Sequence, residues 1–184
     1  MTQKPTIRAR HPIADTGIFT IEELDLEFAN GVKRSYQRLV GSERGAVLVI
    51  PILGDDTLLL IREYTAGMNR YELAFPKGSV DVGEQPLDAA NRELQEEVGY
   101  AARQLRLLTS MTIAPGYLYH TTHIVMARNL YPQRLPGDEP EPIEVVPWKI
   151  GDYRRLLERP DFTESRSIAG LYIIRDILMG PGNS

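Results

Sequence analysis

Between Pro86 and Val98 the chain holds its clearest helix, and that helix carries its acids on one side. Pro86 suits the first helical position, where its missing N–H is not needed. Gly99 suits a left-handed stop, with Tyr100 placed for the apolar contact just beyond it. At 100° per residue Leu87, Ala90, Leu94 and Val98 share one face. Glu93, Glu96 and Glu97 fall within an arc of roughly 100° on another. Like charges three and four residues apart cost a helix about 0.2–0.5 kcal/mol per pair, and Arg92, four residues before Glu96, offsets part of that. A solvated, ion-paired face would tolerate such a run. A hard divalent cation would require it, because Mg²⁺ or Mn²⁺ takes oxygen ligands and keeps further positions for waters and phosphate oxygens.

The rest of the chain limits what surrounds this helix. Its 184 residues suit one globular domain with a small appendage. A net charge of −4 argues against a nucleic-acid coat or an adhesive membrane face, both of which need basic surface. The absence of cysteine excludes disulfides and thiolate zinc sites, and three histidines make a histidine zinc site an unattractive reading. No apolar run approaches the ~18–20 residues of a membrane span. The opening MTQKPTIRARHPIADTG has no apolar leader segment, so the expectation is a cytoplasmic protein.

Residues 1–16 read as a polar, basic arm. Alternation from Ile18 to Phe28, then Asn30-Gly31, then Val32 to Val40 reads as a hairpin. Short strands follow at Ala46–Ile52, Thr57–Tyr64 and Tyr71–Phe75. Further strands are expected near Gln104–Ile113, Tyr119–Ala127 and Ile143–Trp148, and closing helices near Gly151–Glu158 and Phe162–Met179. The proline-rich, acidic run 131–142 reads as a loop. Strands with a few interspersed helices point to an α+β fold or an α/β/α sandwich. The expected division is an arm and hairpin over residues 1–42, serving dimerisation, and a main domain over residues 43–184.

The helix belongs to a longer pattern. Gly78, Glu84, Arg92, Glu93, Leu94, Glu96, Glu97 and Gly99 stand in the spacing G-x5-E-x7-R-E-U-x-E-E-x-G, where U is aliphatic. At average residue usage such a match arises by chance about once in 10⁷ over this length. It resembles the Nudix box, and the chain resembles Nudix hydrolases, which cleave a nucleoside diphosphate linked to another moiety. The resemblance implies an α/β/α sandwich around a mixed sheet, here with an N-terminal β-hairpin. It implies Glu93, Glu97 and Glu96 as metal ligands, joined by the backbone carbonyl of Lys77. Glu84 and Arg92 would brace the motif, Gly78 would permit the tight loop, and Gly99 would end the helix. The expected cofactor is Mg²⁺, with Mn²⁺ as a substitute. Cations there would reverse the local field and clamp a pyrophosphate for in-line attack by water.

Substrate choice lies outside the box. Pro115 in IAPGY resembles the ADP-ribose pyrophosphatase subgroup, and Tyr117 resembles dinucleoside polyphosphate hydrolases. IREY at 61–64 and YELAFPKG at 71–78 resemble that subgroup's ligand-contacting segments. This implies Arg62 for phosphate and Glu72 for the adenine or ribose, although Thr65 stands where the subgroup carries a further arginine. In EPIEV, Glu141 matches the place of a catalytic glutamate, and Glu139 is the second choice. Glu96 is also open to a catalytic role. Tyr36, Phe28, Tyr117 and Tyr119 remain open as the aromatic that stacks adenine. The resemblance extends over residues 18–178 to members acting on ADP compounds. It implies release of AMP from ADP-ribose, NADH and diadenosine polyphosphates by a homodimer that needs neither membrane nor nucleic acid. The competing readings are a non-hydrolytic ADP-ribose sensor and a pyrophosphatase of another substrate class.

Overall fold

A computed structural model describes residues 3–42 and 44–180; the outer ends of both expected segments, residues 1 and 184, and their junction at 43 lie outside the described residues. The strands are β1 (Thr6–Asp15), β2 (Thr20–Glu27), β3 (Lys33–Val40), β4 (Ala46–Leu53), β5 (Thr57–Thr65), β6 (Arg70–Ala74) and β7 (Lys77–Ser79). Helix α1 (Pro86–Glu93) runs into a π-helical turn, Leu94–Val98. Then come β8 (Tyr100–Met111), β9 (Leu118–Tyr119), β10 (Thr122–Pro132) and β11 (Glu144–Lys149), followed by α2 (Tyr153–Leu157) and α3 (Ser165–Met179). These elements form two compact units. One contains the described parts of residues 1–45 with 112–121, and the other those of 46–111 with 122–184. Residues 112–121, well beyond position 42, thus belong with the N-terminal strands.

The first unit is a four-stranded sheet in the order β1-β2-β3-β9. The expected hairpin is β2 and β3, paired from Thr20 with Val40 to Glu27 with Lys33. Gly31 takes a positive φ of 80° in the turn. The expected arm is instead strand β1, antiparallel to β2 from Thr6 to Asp15. Its side chains are nearly all exposed, so backbone pairing and ion pairs to β2, such as Arg8 to Glu27 at 3.1 Å, hold it in place, and no apolar alternation announces it. Pro12 is tolerated because β1 is an edge strand, and the register shifts just after it.

The second unit is a mixed sheet, β11-β5-β4-β10-β8, with β10 parallel to β4 and β6 and β7 attached alongside. Alternation along its central strands divides the core in two. Leu48, Ile50 and Ile52 of β4 with Leu58 and Leu60 of β5 pack beneath α2 and α3, against Leu156, Leu171 and Ile174. Val47, Val49, Leu59 and Ile61 face the other way, onto Ala89, Ala90, Leu94 and Val98 of the acidic helix. This is the expected α/β/α sandwich. Each such side chain taken fully out of water contributes about 1.5–3 kcal/mol. The long apolar runs of β4 and β5 are therefore the frame on which the acidic helix is mounted.

Several boundaries differ from those expected. The helix is α-helical only to Glu93, and Leu87 is 38% exposed where the wheel placed it inward, while Ala89 is buried. Strand β8 starts at Tyr100, directly after the Gly99 stop, and β10 continues through Arg128–Pro132, into the stretch expected as a loop from 131, because β8 pairs with it to its end.

Candidate active site

Carboxylates reach the acidic face because the helix widens where they are needed. The N–H of Gly99 bonds the carbonyl of Leu94, five residues back, at 3.2 Å, and Gly99 takes φ 82°. Arg134 lies against Gly99 so closely that a Cβ there would meet its Nη2 at 2.7 Å. Its guanidinium also donates to the Glu96 carbonyl at 3.3 Å, which ties loop 133–137 to the helix end. Glu97 within this wider turn and Glu93 just before it are buried, at 3% and 8% exposure, and Glu96 is partly open.

Strand β7 closes over them. A Cβ on Gly78 would lie 2.0 Å from the carboxyl carbon of Glu93, so only glycine lets the carboxylate reach this backbone. One residue earlier, the Lys77 N–H donates to Glu97 at 3.0 Å, and the Lys77 ammonium pairs with Glu63 at 2.9 Å. Arg92 is the positive charge at the centre. It donates through two nitrogens to both oxygens of Glu84 at 3.0 Å, to Glu93 at 2.7 Å, to Glu96 at 2.9 Å and to the Ser79 carbonyl at 2.8 Å. Glu84 in turn accepts the Asp81 N–H at 3.0 Å. Arg92 and Glu84 therefore staple loop, strand and helix together.

The charges are costly where they sit. Burial pushes the Glu97 carboxyl up to about 8, with the nearby Lys77 pulling the other way. Burial also raises Glu93 despite Arg92, whose hydrogen bond holds Glu84 below the usual range. To ionise in this setting the carboxyls need a cation beside them, and their donor set is the all-oxygen one that hard divalent ions take. Among the described residues no three acids converge on one point as the chain stands; Arg92 is the cation that joins Glu93 to Glu96. The donor chemistry and the Gly78 cradle nevertheless fit a divalent ion.

The substrate-side residues fall in different places. Arg62 is already engaged by two carboxylates, Glu144 at 2.9 Å and Asp161 in a shorter contact. Arg159, with Arg62 beside it, holds the Asp161 carboxyl down to about 2. Glu72 is buried and taken up by Arg70 at 2.5 Å and by the Thr163 hydroxyl at 3.1 Å, and it does not line the cavity that Arg62 lines. Glu139 lines both the carboxylate cleft and that cavity. Glu141 lines the cavity without reaching the cleft, and the Tyr71 hydroxyl donates to it at 2.6 Å. The second choice of base thus stands beside Glu93 and the first stands one pocket away. Tyr117 and Pro115 lie in the other unit, in a groove with Phe28, Tyr36 and Tyr119.

Glu63, Asp161 and Arg134 are site residues that the sequence did not reveal. Each acquires its partner through tertiary pairing, and no local pattern marks them.

A buried glutamate cradle stapled by arginine beneath a glycine strand is what the box spacing demands, and the chain belongs to the Nudix family. Residues 42–166 match the NUDIX domain, and residues 5–38 match the NudE-type Nudix hydrolase N-terminal domain. Among its relatives, ADP compounds hydrolase NudE of Escherichia coli is 48% identical over 98% of this chain and 96% of its own length. ADP-ribose pyrophosphatase of Bacillus subtilis is 27% identical over 78% of this chain and 77% of its own. A crystal structure of an ADP compounds hydrolase superposes with a TM-score of 0.91 at 47% identity, covering 100% of this chain and 99% of the other. Nudix hydrolases generally use divalent cations.

Glu97 binds its proton more tightly folded than unfolded, so without metal its contribution makes stability fall as pH rises from 4.5 towards about 8. Urea unfolding of chelator-treated protein at pH 5 and pH 8 should show that fall, and Glu97→Gln should reduce it. A wild type and a variant with the same pH dependence would contradict the assignment.

Proposed function

We propose that this chain is an Mg²⁺-dependent pyrophosphatase, tolerant of Mn²⁺, that hydrolyses ADP-linked compounds such as ADP-ribose, NADH and diadenosine polyphosphates to release AMP. The buried Glu93–Glu97 pair beneath Gly78 carries this reading, and it is supported by relatives named for ADP compounds and ADP-ribose. Glu93, Glu97 and Glu96, with the Lys77 carbonyl, would hold the cation. Bound there, the cation supplies the positive charge that a diphosphate needs and eases deprotonation of the attacking water. Arg92 keeps its proton and fixes the cradle, since its carboxylate partners raise its pKa further. Glu139, in the cleft beside Glu93, is placed to accept the water's proton. Glu141 remains the alternative if loop 136–143 moves and the Tyr71 bond is released. Arg62 would meet phosphate only by exchanging one of its two carboxylates. Glu72 and Thr163 shape the wall behind it, and Tyr117 is retained as a contact to the substrate.

The reading includes a homodimer in which the N-terminal segment, residues 1–42, is the dimerisation element and residues 43–184 form the Nudix domain. It also includes a cytoplasmic location, where nucleotide cofactors are found, and no nucleic-acid partner, in keeping with the net charge of −4.

Turnover of ADP-ribose, NADH, diadenosine triphosphate and a nucleoside triphosphate, measured side by side in Mg²⁺, should release AMP from the first three. Glu97→Gln should lower that release by about 10²–10³-fold, the scale of several kcal/mol of lost transition-state stabilisation. Full activity of the variant, or preference for the triphosphate, would overturn the reading. Sedimentation at micromolar protein should give a dimer, and a monomer alone would remove the dimer from the account.

A further inference from the structure

The cavity beside the carboxylate cleft has a built aromatic wall. Tyr64 of β5 and Tyr71 of β6 face each other across the antiparallel ladder. Their rings meet edge to face at 5.7 Å between centroids and 70° between planes, and each is about half exposed. Both hydroxyls are tied down, Tyr64 to the Asn69 side chain at 2.7 Å and Tyr71 to Glu141 at 2.6 Å. The rings are therefore held in place while their free surfaces line a space of about 280 Å³, at the small end of ligand pockets. Glu63 and Glu139 line this cavity and the carboxylate cleft alike. The two spaces thus share a wall and lie side by side.

The other walls select its chemistry. Four acids, Glu63, Glu139, Glu141 and Glu144, line the cavity with a single basic residue, Arg62; Arg62 is already paired with Glu144 and Asp161, and Glu63 is held by Lys77 from the cleft side, so the remaining acids set the sign of the charge. A phosphate monoester would be repelled here. A neutral or cationic planar ring would be accepted, because carboxylates only accept hydrogen bonds and so favour ring substituents that carry N–H donors. We propose that the Tyr64–Tyr71 cavity is the subsite for the far half of a dinucleotide substrate. It would take the nitrogen heterocycle on the side of the diphosphate opposite the ADP moiety, as a nicotinamide or a second adenine. This rests on the pyrophosphatase reading above and deepens it. Tyr64 acts as a specificity residue that separates dinucleotides from ADP-ribose, whose far half has no base.

The test compares kcat/KM for NADH, diadenosine triphosphate and ADP-ribose in wild type, Tyr64→Leu and Tyr64→Phe. Base–aromatic stacking is worth roughly one to two powers of ten in affinity. Tyr64→Leu should therefore lower the ratio of either dinucleotide to ADP-ribose by about tenfold. Tyr64→Phe keeps the ring and should keep the ratio within about twofold of wild type. An equal loss on all three substrates would mean a structural role or the adenine of the ADP half in the cavity, and an unchanged ratio would mean no stacking; either overturns the proposal. Failure of the wild type to release AMP from any of the three would instead count against the pyrophosphatase reading.

Discussion

Two carboxylates, Glu93 and Glu97, are pressed against the backbone of a short strand, and Arg92 is the positive charge beside them. Burial opposes their ionisation and pushes both carboxyls above the usual glutamate range. Three features keep them there. Gly78 offers no side chain, the Lys77 N–H caps Glu97, and the guanidinium of Arg92 spans Glu84, Glu93 and Glu96. Removing one partner of such a buried network strands a charge in a low dielectric, which is more costly than never having made the pair. The site is therefore rigid in its apolar support and unsatisfied in its charge, a combination suited to taking up a cation.

The support comes from the sheet. Alternate residues of β4 and β5 feed two separate cores, so the acidic helix and the pair α2–α3 are held on opposite faces of the same strands. Loop 133–143 extends from β10 over the helix end. Arg134 grips the turn at Gly99, Glu139 lies at the cleft, and Glu141 is held by Tyr71. One loop thus carries both candidate bases, and the tyrosine hydroxyl separates their surroundings.

Much of this is legible in the sequence where the constraint is local. Pro86 at the first turn, Gly99 at the left-handed stop and the apolar runs of β4 and β5 each act within a few residues, and the Gly78-to-Gly99 spacing acts within one continuous stretch of chain, so each gives a readable pattern. The rest depends on distant partners. The π-helical turn Leu94–Val98 forms within a tertiary frame that includes Arg134 at Gly99, so a wheel at a constant 100° does not hold across it. Strand β1 is held by backbone pairing and by ion pairs to β2, neither of which leaves a trace in apolar periodicity. Arg62 reads as a phosphate ligand by its motif, yet Asp161, ninety-nine positions away, already holds it. Glu63 is known only through Lys77. The choice between Glu139 and Glu141 turns on where a loop lies, and spacing alone does not set that.

If the buried Glu93–Glu97 pair is the cation receptor, the proton that burial keeps on Glu97 near neutral pH must leave as the ion binds. Calorimetric titration of Mg²⁺ into chelator-treated protein at pH 7, in buffers of differing ionisation enthalpy, counts the protons released per ion. The account predicts saturable binding with release of a substantial fraction of a proton, and Glu97→Gln should abolish most of that release. Binding with no proton release in the wild type, or unchanged release in the variant, would contradict it.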